Sequence, residues 1–252
     1  MRILHLMLSN FFIDNRNYQE NILPKRNIED GHEVKIIAST ETYIQPNKLG
    51  YVKPSTYNNN DGIEVTRIPY RKLFPHFVMT KIRSYSGLYE MIEKFEPDVI
   101  LHHGVPSYEL LTVSRYKKNN SGVKLYLDSH EDFHNSARGF ISRELLHRRF
   151  YGPIVRKAIP YVDKILCINM ESMDFLEALY KIPKKIMEFY PLGGIVFSED
   201  EHLLRRKKTR EEIGIEDNDI LMIHTGKMQP RKRTIELTYI AKLNSDSSQS
   251  FH

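Results

Sequence analysis

A chain of 252 residues holds one large α/β domain, or one domain with part of another, and its 40% hydrophobic content is enough to bury a core. One cysteine, Cys167, excludes an internal disulfide and any cysteine metal cluster; it reads as core filler in a reducing compartment. A net charge of +5 and an isoelectric point near 9.0 favour anionic partners: phosphates, nucleotides, anionic lipid or nucleic acid.

Met1 to Leu8 is an apolar run too short for a signal-peptide core with its cleavage site or for a membrane span, and predicts a first buried strand in a cytoplasmic protein. Ser9 to Asn17 is a polar loop. Tyr18 to Asp30 then reads as a helix ended by Gly31, with Pro24 required to sit in its first turn or to kink it. Glu33 to Ser39 is the second strand, with Val34, Ile36 and Ile37 β-branched. Tyr43 to Gly62, rich in Asn, Pro and Tyr, predicts an irregular, mobile excursion before a third strand at Ile63 to Ile68.

Ile82, Tyr85, Leu88, Tyr89, Ile92 and Phe95 fall at helical spacing and predict one helix over Val78 to Phe95. Val99 to Leu101 is the next strand, with His102-His103-Gly104 at its carboxyl end and Ser107 capping a helix that runs to about Lys118. The strand that follows, Leu125-Tyr126-Leu127, stops abruptly at Asp128-Ser129-His130. Strands alternating with helices imply right-handed crossovers and a parallel sheet with helices on both faces, and ligands bind such sheets at the carboxyl ends of the strands. His130 is therefore the central candidate, with Asp128 and Glu131 beside it.

His130-Glu131-Asp132-Phe133-His134 also fits the H-E-x-x-H pattern, in which two histidines one helical turn apart bind zinc and the glutamate activates water. That chemistry needs a helix, whereas here a strand has just ended and Gly139 follows closely, so a zinc hydrolase, with Glu144 or Glu171 as third ligand, is the alternative and no metal is expected. A plain solvated strand-to-helix loop is the unreactive reading of the same residues.

Ile141 to Ala158 reads as a helix whose Arg143, Arg148, Arg149 and Arg156 form either a solvated basic face or one turned to an anionic membrane. Val162 to Ile168 is a strand, Glu171 to Tyr180 a helix, and Ile186 to Tyr190 a short strand ended by Pro191-Leu192-Gly193-Gly194. Residues 1–195 thus form a first domain, 196–217 a charged linker helix, and 218–244 the start of a second domain; 245–252 lacks core-forming content and reads as disordered. In the second domain a buried strand over Asp219 to Thr225 leads through Gly226-Lys227 and Arg231-Lys232-Arg233 into a helix from Thr234 to Leu243. Glycine there lets backbone approach and the cations suit a phosphate. Neither a P-loop nor a Gly-x-Gly-x-x-Gly after the first strand is present, which argues against an ordinary dinucleotide dehydrogenase.

Gly31-His32 before Glu33-Val34, the strand entering Asp128-Ser129-His130, the Tyr190 to Gly194 turn, Arg210-Glu211-Glu212-Ile213-Gly214-Ile215, and Gly226-Lys227 with Lys232 together resemble a family-4 glycosyltransferase of the GT-B architecture. The resemblance runs to about Leu243. It implies two Rossmann-like domains facing across a cleft, a nucleotide-sugar donor, a hydroxyl acceptor that is a glycan or lipid-linked, transfer with retention, and neither a cofactor nor nucleic acid. By the same resemblance Gly226, Lys227 and Lys232 hold the donor diphosphate, His130 faces the transferred sugar, and Asn15, Arg143, Asp128 and Glu131 lie on the acceptor side or support it; peripheral membrane association follows from a lipid-linked acceptor. The chain departs from the family in lacking a glycine-rich loop after the first strand, in Arg233 where glycine is usual, and in lacking the glutamate pair that binds ribose and sugar. The expectation is an acceptor-side domain with an incomplete donor-side domain, weakly active or inactive by itself, with a non-catalytic anion- or membrane-binding module as the remaining alternative.

Overall fold

The structure, a computed structural model, describes residues 1–45, 48–193, 197–224, 233, 235, 236 and 239. Two compact units divide the chain, Met1–Leu192 and Gly193–His252. In the first the strands are β1 (Arg2–Met7), β2 (Glu33–Ser39), β3 (Glu41–Gln45), β4 (Lys48–Tyr51), β5 (Ser55–Asn58), β6 (Glu64–Ile68), β7 (Val99–His103), β8 (Lys124–Ser129), β9 (Lys164–Cys167) and β10 (Met187–Phe189). Eight of them form one sheet in the order β10-β9-β8-β7-β1-β2-β6-β5, parallel throughout except for β5 against β6; β3 and β4 make a separate antiparallel pair. The fold is α/β and Rossmann-like.

Period-two alternation divides β1 between two cores. Leu4 and Leu6 join the larger one, built with α3 (Leu88–Phe95), α4 (Leu110–Asn119), α5 (Gly152–Ala158) and α6 (Met170–Tyr180), which follow α1 (Gln19–Glu29) and α2 (His76–Ile82) in the chain. Ile3 and Met7 point the other way, towards Val34, Ile36 and Ala38 and towards Ile28 of α1. Leu4, Leu6, Ile36 and Ile37 are fully buried, each burial contributing about 1.5–3 kcal/mol.

Several expectations need correction. The segment after Thr42 is not an irregular excursion: it supplies β3, β4 and β5, because Thr56 and Tyr57 find cross-strand partners in Thr66 and Val65. Asn59 closes that hairpin by accepting from the amides of Asp61 and Ile63, and Gly62 takes the left-handed conformation at φ 77°. The single helix expected over Val78 to Phe95 is two, α2 and α3, parted where Arg83 adopts φ 54° and Gly87 φ 74°. The buried carboxylate of Glu109 holds the break, accepting from Ser84 Oγ at 3.1 Å and from the amide of Tyr85 at 2.7 Å, while the Tyr85 hydroxyl donates to the Leu8 carbonyl. Ser107 does not cap α4, which starts after Glu109; its hydroxyl accepts from the Glu109 amide at 3.2 Å. Pro24 lies in the interior of α1 rather than in its first turn.

The basic helix begins as a π-helix, Ile141–Tyr151, before continuing as α5; the Gly152 amide reaches back five residues to the His147 carbonyl. In the second unit α7 (Glu199–Ile213) is capped by Ser198, whose hydroxyl accepts from the Glu201 amide, and is ended by Gly214 at φ 70°. Glu199, Asp200 and Glu201 in its first turn favour the positive end of the helix dipole. Of the strand expected over Asp219 to Thr225, the described residues show a single β-bridge position, Ile220, with Ile220 and Ile223 exposed rather than buried; Thr225 lies outside the described residues. The expected helix from Thr234 to Leu243 falls mostly outside the described residues.

Candidate active site

Parallel register assembles the site. His103 of β7 is paired with Asp128 of β8, and His5 of β1 stands opposite Leu101 of β7, so His5, His103 and Asp128 project from the same face of three adjacent central strands. All three are buried. His5 Nε2 lies 2.9 Å from Asn27 Oδ1 of α1, its Nδ1 lies 3.0 Å from His103 Nε2, and His103 Nδ1 lies 2.5 Å from Asp128 Oδ2. The Gly104 amide donates to the other Asp128 oxygen at 2.8 Å.

Burial, and then the neighbouring His103, pushes His5 down to about 3, against the pull of Asn27 and Asp128, so its ring is neutral. Donation by its Nε2 to Asn27 leaves Nδ1 as an acceptor for His103 Nε2. His103 is thus bonded through both ring nitrogens, to His5 on one side and to the Asp128 carboxylate on the other. Burial works against the charge on Asp128, but His103 and then His130 outweigh it and hold the carboxyl well below the usual carboxylate range.

His130 follows β8 directly. Its side chain is 32% exposed, and its Nε2 is 3.8 Å from Asp128 Oδ2, buried, and without a hydrogen-bond partner among the described residues. Burial opposes its protonation, but Asp128 first, then Glu20 and Glu131, raise its pKa above the ordinary histidine value. The carbonyl of His130 accepts from Asn135 Nδ2 at 2.8 Å, which fixes the loop. Glu131 accepts from Ser129 Oγ at 2.9 Å; burial raises its carboxyl, with Ser129 and Arg83 pulling it back. The edge therefore presents a basic imidazole backed by an acid, with a second carboxyl alongside.

Gly104 is required where it stands. Its φ is 90°, and a Cβ there would come 2.6 Å from Ser9 Cβ, while the Gly104 carbonyl accepts from Ser9 Oγ and from His102 Nδ1. Asp128→Asn removes the buried carboxylate that holds His103 Nδ1 and the Gly104 amide, and a loss of about 1.5–3 kcal/mol is expected from urea unfolding near neutral pH. A loss under about 1 kcal/mol would mean that this carboxylate does not hold the two strands together.

Of the residues singled out from the sequence, Asp128 and Glu131 are brought to His130. Arg143 lies on the π-helix and pairs with Glu144 at 3.1 Å, and Asn15 is exposed in the β1–α1 loop at φ 57°. Gly226, Lys227 and Lys232 lie outside the described residues. The H-E-x-x-H pentad sits in a turn, not on a helix: Asp132 Oδ1 accepts from the amides of His134 and Asn135, and His134 is exposed. No group of three His, Cys, Asp or Glu residues is placed to hold a metal ion among the described residues. Cys167 is buried and its thiol is pushed up to about 12 by burial, then by Glu131 and Asp128, consistent with core filler. The sequence places His103 and Gly104 at the carboxyl end of their strand but gives them no role, and it does not single out His5, Asn27 or Arg83; the histidine lodged in the apolar run Leu4-His5-Leu6 is a further signal it carries.

The sequence profile of Glycosyltransferase Family 4 matches residues 25–192, which span most of the sheet and all of β8 and its loop. The chain belongs to glycosyltransferase family 4. Among solved structures it is similar to a glycosyltransferase from Rickettsia africae ESF-5, with a TM-score of 0.52 and 11% identity over 100% of this chain and 67% of that one. It is also similar to a UDP-GlcNAc 2-epimerase from Neisseria meningitidis bound to UDP-GlcNAc, with a TM-score of 0.44 and 13% identity over 100% of this chain and 64% of that one. The chain thus spans about two thirds of either structure, and the first likeness is one of fold. No curated protein matches it in sequence. Within this family-4 chain the matched segment contains His103, Asp128 and His130 but not His5.

Proposed function

We propose that this family-4 protein takes part in transfer of a sugar from a nucleotide-sugar donor to a hydroxyl acceptor, with retention of anomeric configuration. The observation that carries this reading is His130 at the carboxyl edge of β8, its buried Nε2 unbonded and backed by the Asp128 carboxylate. In transfer the bond from the anomeric carbon to the diphosphate breaks, the acceptor oxygen bonds to that carbon, and the acceptor's proton leaves with the departing phosphate. His130 orients the sugar through its hydroxyls, and Asp128 fixes the ring and stabilises its protonated form. Lys227 and Lys232 neutralise the diphosphate as it departs, the role that a metal ion takes in other enzymes, and Gly226 lets the backbone approach it.

The acceptor is a glycan or a lipid-linked alcohol. Phe140 and Ile141, 71% and 73% exposed, stand beside Arg143, Arg148 and Arg149 in sequence, a pairing of apolar and cationic groups suited to an anionic membrane surface. No helix among the described residues is long and apolar enough to cross a membrane. In a panel of UDP- and GDP-linked sugars, one donor is expected to be turned over, weakly, with its KM raised about tenfold in Lys227→Ala and in Lys232→Ala. An unchanged KM contradicts the donor assignment, and an inverted product contradicts retention.

A further inference from the structure

On the helical side of the first unit lies a groove of about 390 Å³ that sugar transfer does not use. Its size falls within the range of small-molecule sites, about 300–1,000 Å³. Four cations converge on it from separate stretches: Arg71 beyond β6, Arg115 and Lys118 on α4, and Lys157 on α5. No carboxylate lines it among the described residues; the buried Glu109 carboxylate that the lining Thr112 touches is taken up by the Thr112 and Ser84 hydroxyls and the Tyr85 amide.

Two of these cations are held in place by neutral groups. Arg71 Nε donates to the Tyr85 carbonyl at 2.8 Å, and the Arg115 guanidinium lies 4.3 Å from the centre of the Tyr89 ring. Lys118 and Lys157 are exposed and have no carboxylate partner among the described residues. Tyr108 and Tyr161, both half-buried, bring phenolic hydroxyls and ring surface to the same groove. Like charges gathered without a counter-charge repel one another, and a bound anion relieves that repulsion. Two anchored guanidiniums, two exposed ammonium groups and two phenols match a group with several acceptor oxygens and an organic portion to lie on a ring.

We propose that this groove binds a phosphate-bearing ligand, a monoester or a diphosphate, separately from the sugar-transfer site. The shared chemistry is the phosphate; a soluble ester and a lipid headgroup are its two sources. The test is calorimetric titration of the full chain with inorganic pyrophosphate at low salt, repeated on Lys118→Glu with Lys157→Glu and on Lys227→Ala with Lys232→Ala.

Two binding events are expected in the unchanged chain, one at the groove and one at the donor site: the reversed pair weakens the groove event about tenfold or more, and the second pair removes the donor-site event while the groove event remains. If the reversed pair unfolds, Lys118→Ala with Lys157→Ala gives the same comparison with less disturbance. Phosphatidic acid vesicles that retain the chain and release it to pyrophosphate identify the headgroup; pyrophosphate binding without such release identifies the soluble ester. Absence of pyrophosphate binding, full affinity in both groove variants, or loss only in the Lys227 and Lys232 pair overturns the proposal. The last result would leave the donor assignment intact.

Discussion

Lowering the pH from 6.5 to 4 is expected to remove several kcal/mol of stability, enough to unfold a protein of ordinary stability of about 5–15 kcal/mol. Burial pushes His5 down to about 3 and His102 and His147 to about 4, with His103 adding to the effect on the first two and Arg83 on the third. In the unfolded chain these rings titrate near 6.5. Below that value the unfolded state binds protons that the fold refuses, so their contribution is complete above pH 6.5 and lost as the pH falls towards 4 and 3. His130 works in the opposite direction, because its pKa is raised in the fold.

His130, its pKa raised, differs between the states only above pH 6.5 and drops out below it. The three resisting rings leave about three protons between the states, a slope of about 4 kcal/mol per pH unit where the unfolded rings are charged and the folded ones are not. Asp128, held low in the fold, adds its own loss once the pH drops below about 4. Urea midpoints at pH 7, 5.5 and 4.5 measure the slope. A flat profile across that interval would mean that the histidines of the central strands are solvated or already charged.

The sheet was legible because its signals are local. Apolar runs bounded by Gly, Pro and Asn located β1, β2, β7, β8 and β9, and the abrupt change at Asp128-Ser129-His130 located the edge that carries His130. What sequence missed depends on partners distant in the chain. His5 and His103 are 98 residues apart and meet only through the register of β1 against β7. The helix break at Arg83 depends on Glu109, whose carboxylate accepts from the Tyr85 amide and the Ser84 hydroxyl.

The β5–β6 hairpin is a different kind of miss. Asp61-Gly62 between Tyr57 and Val65 is a turn signal that was present, but the surrounding Asn, Pro and Tyr residues hid it. A continuous apolar pattern likewise concealed the wide turns of Ile141–Tyr151, where the buried ring of His147 shares a 2.6 Å hydrogen bond with the Tyr180 hydroxyl. Periodicity locates a helix without fixing how tightly it is wound.

The second large effect belongs to His130, and the same histidine separates the two chemistries that its neighbourhood allows. If the ring orients the transferred sugar, it acts most strongly when charge is redistributed between the anomeric carbon and the departing diphosphate, so its removal falls on turnover rather than on donor affinity. Its partner in the H-E-x-x-H pattern, His134, is exposed in a turn and has no part in that step. A zinc centre built on the pentad would need both imidazoles equally.

The decisive measurement is kcat and KM for one donor and acceptor pair in the unchanged chain, His130→Ala and His134→Ala. A kcat reduced about 10²-fold or more in His130→Ala, with donor KM within about threefold and His134→Ala fully active, is the predicted result. Equal turnover in His130→Ala and the unchanged chain would contradict the account.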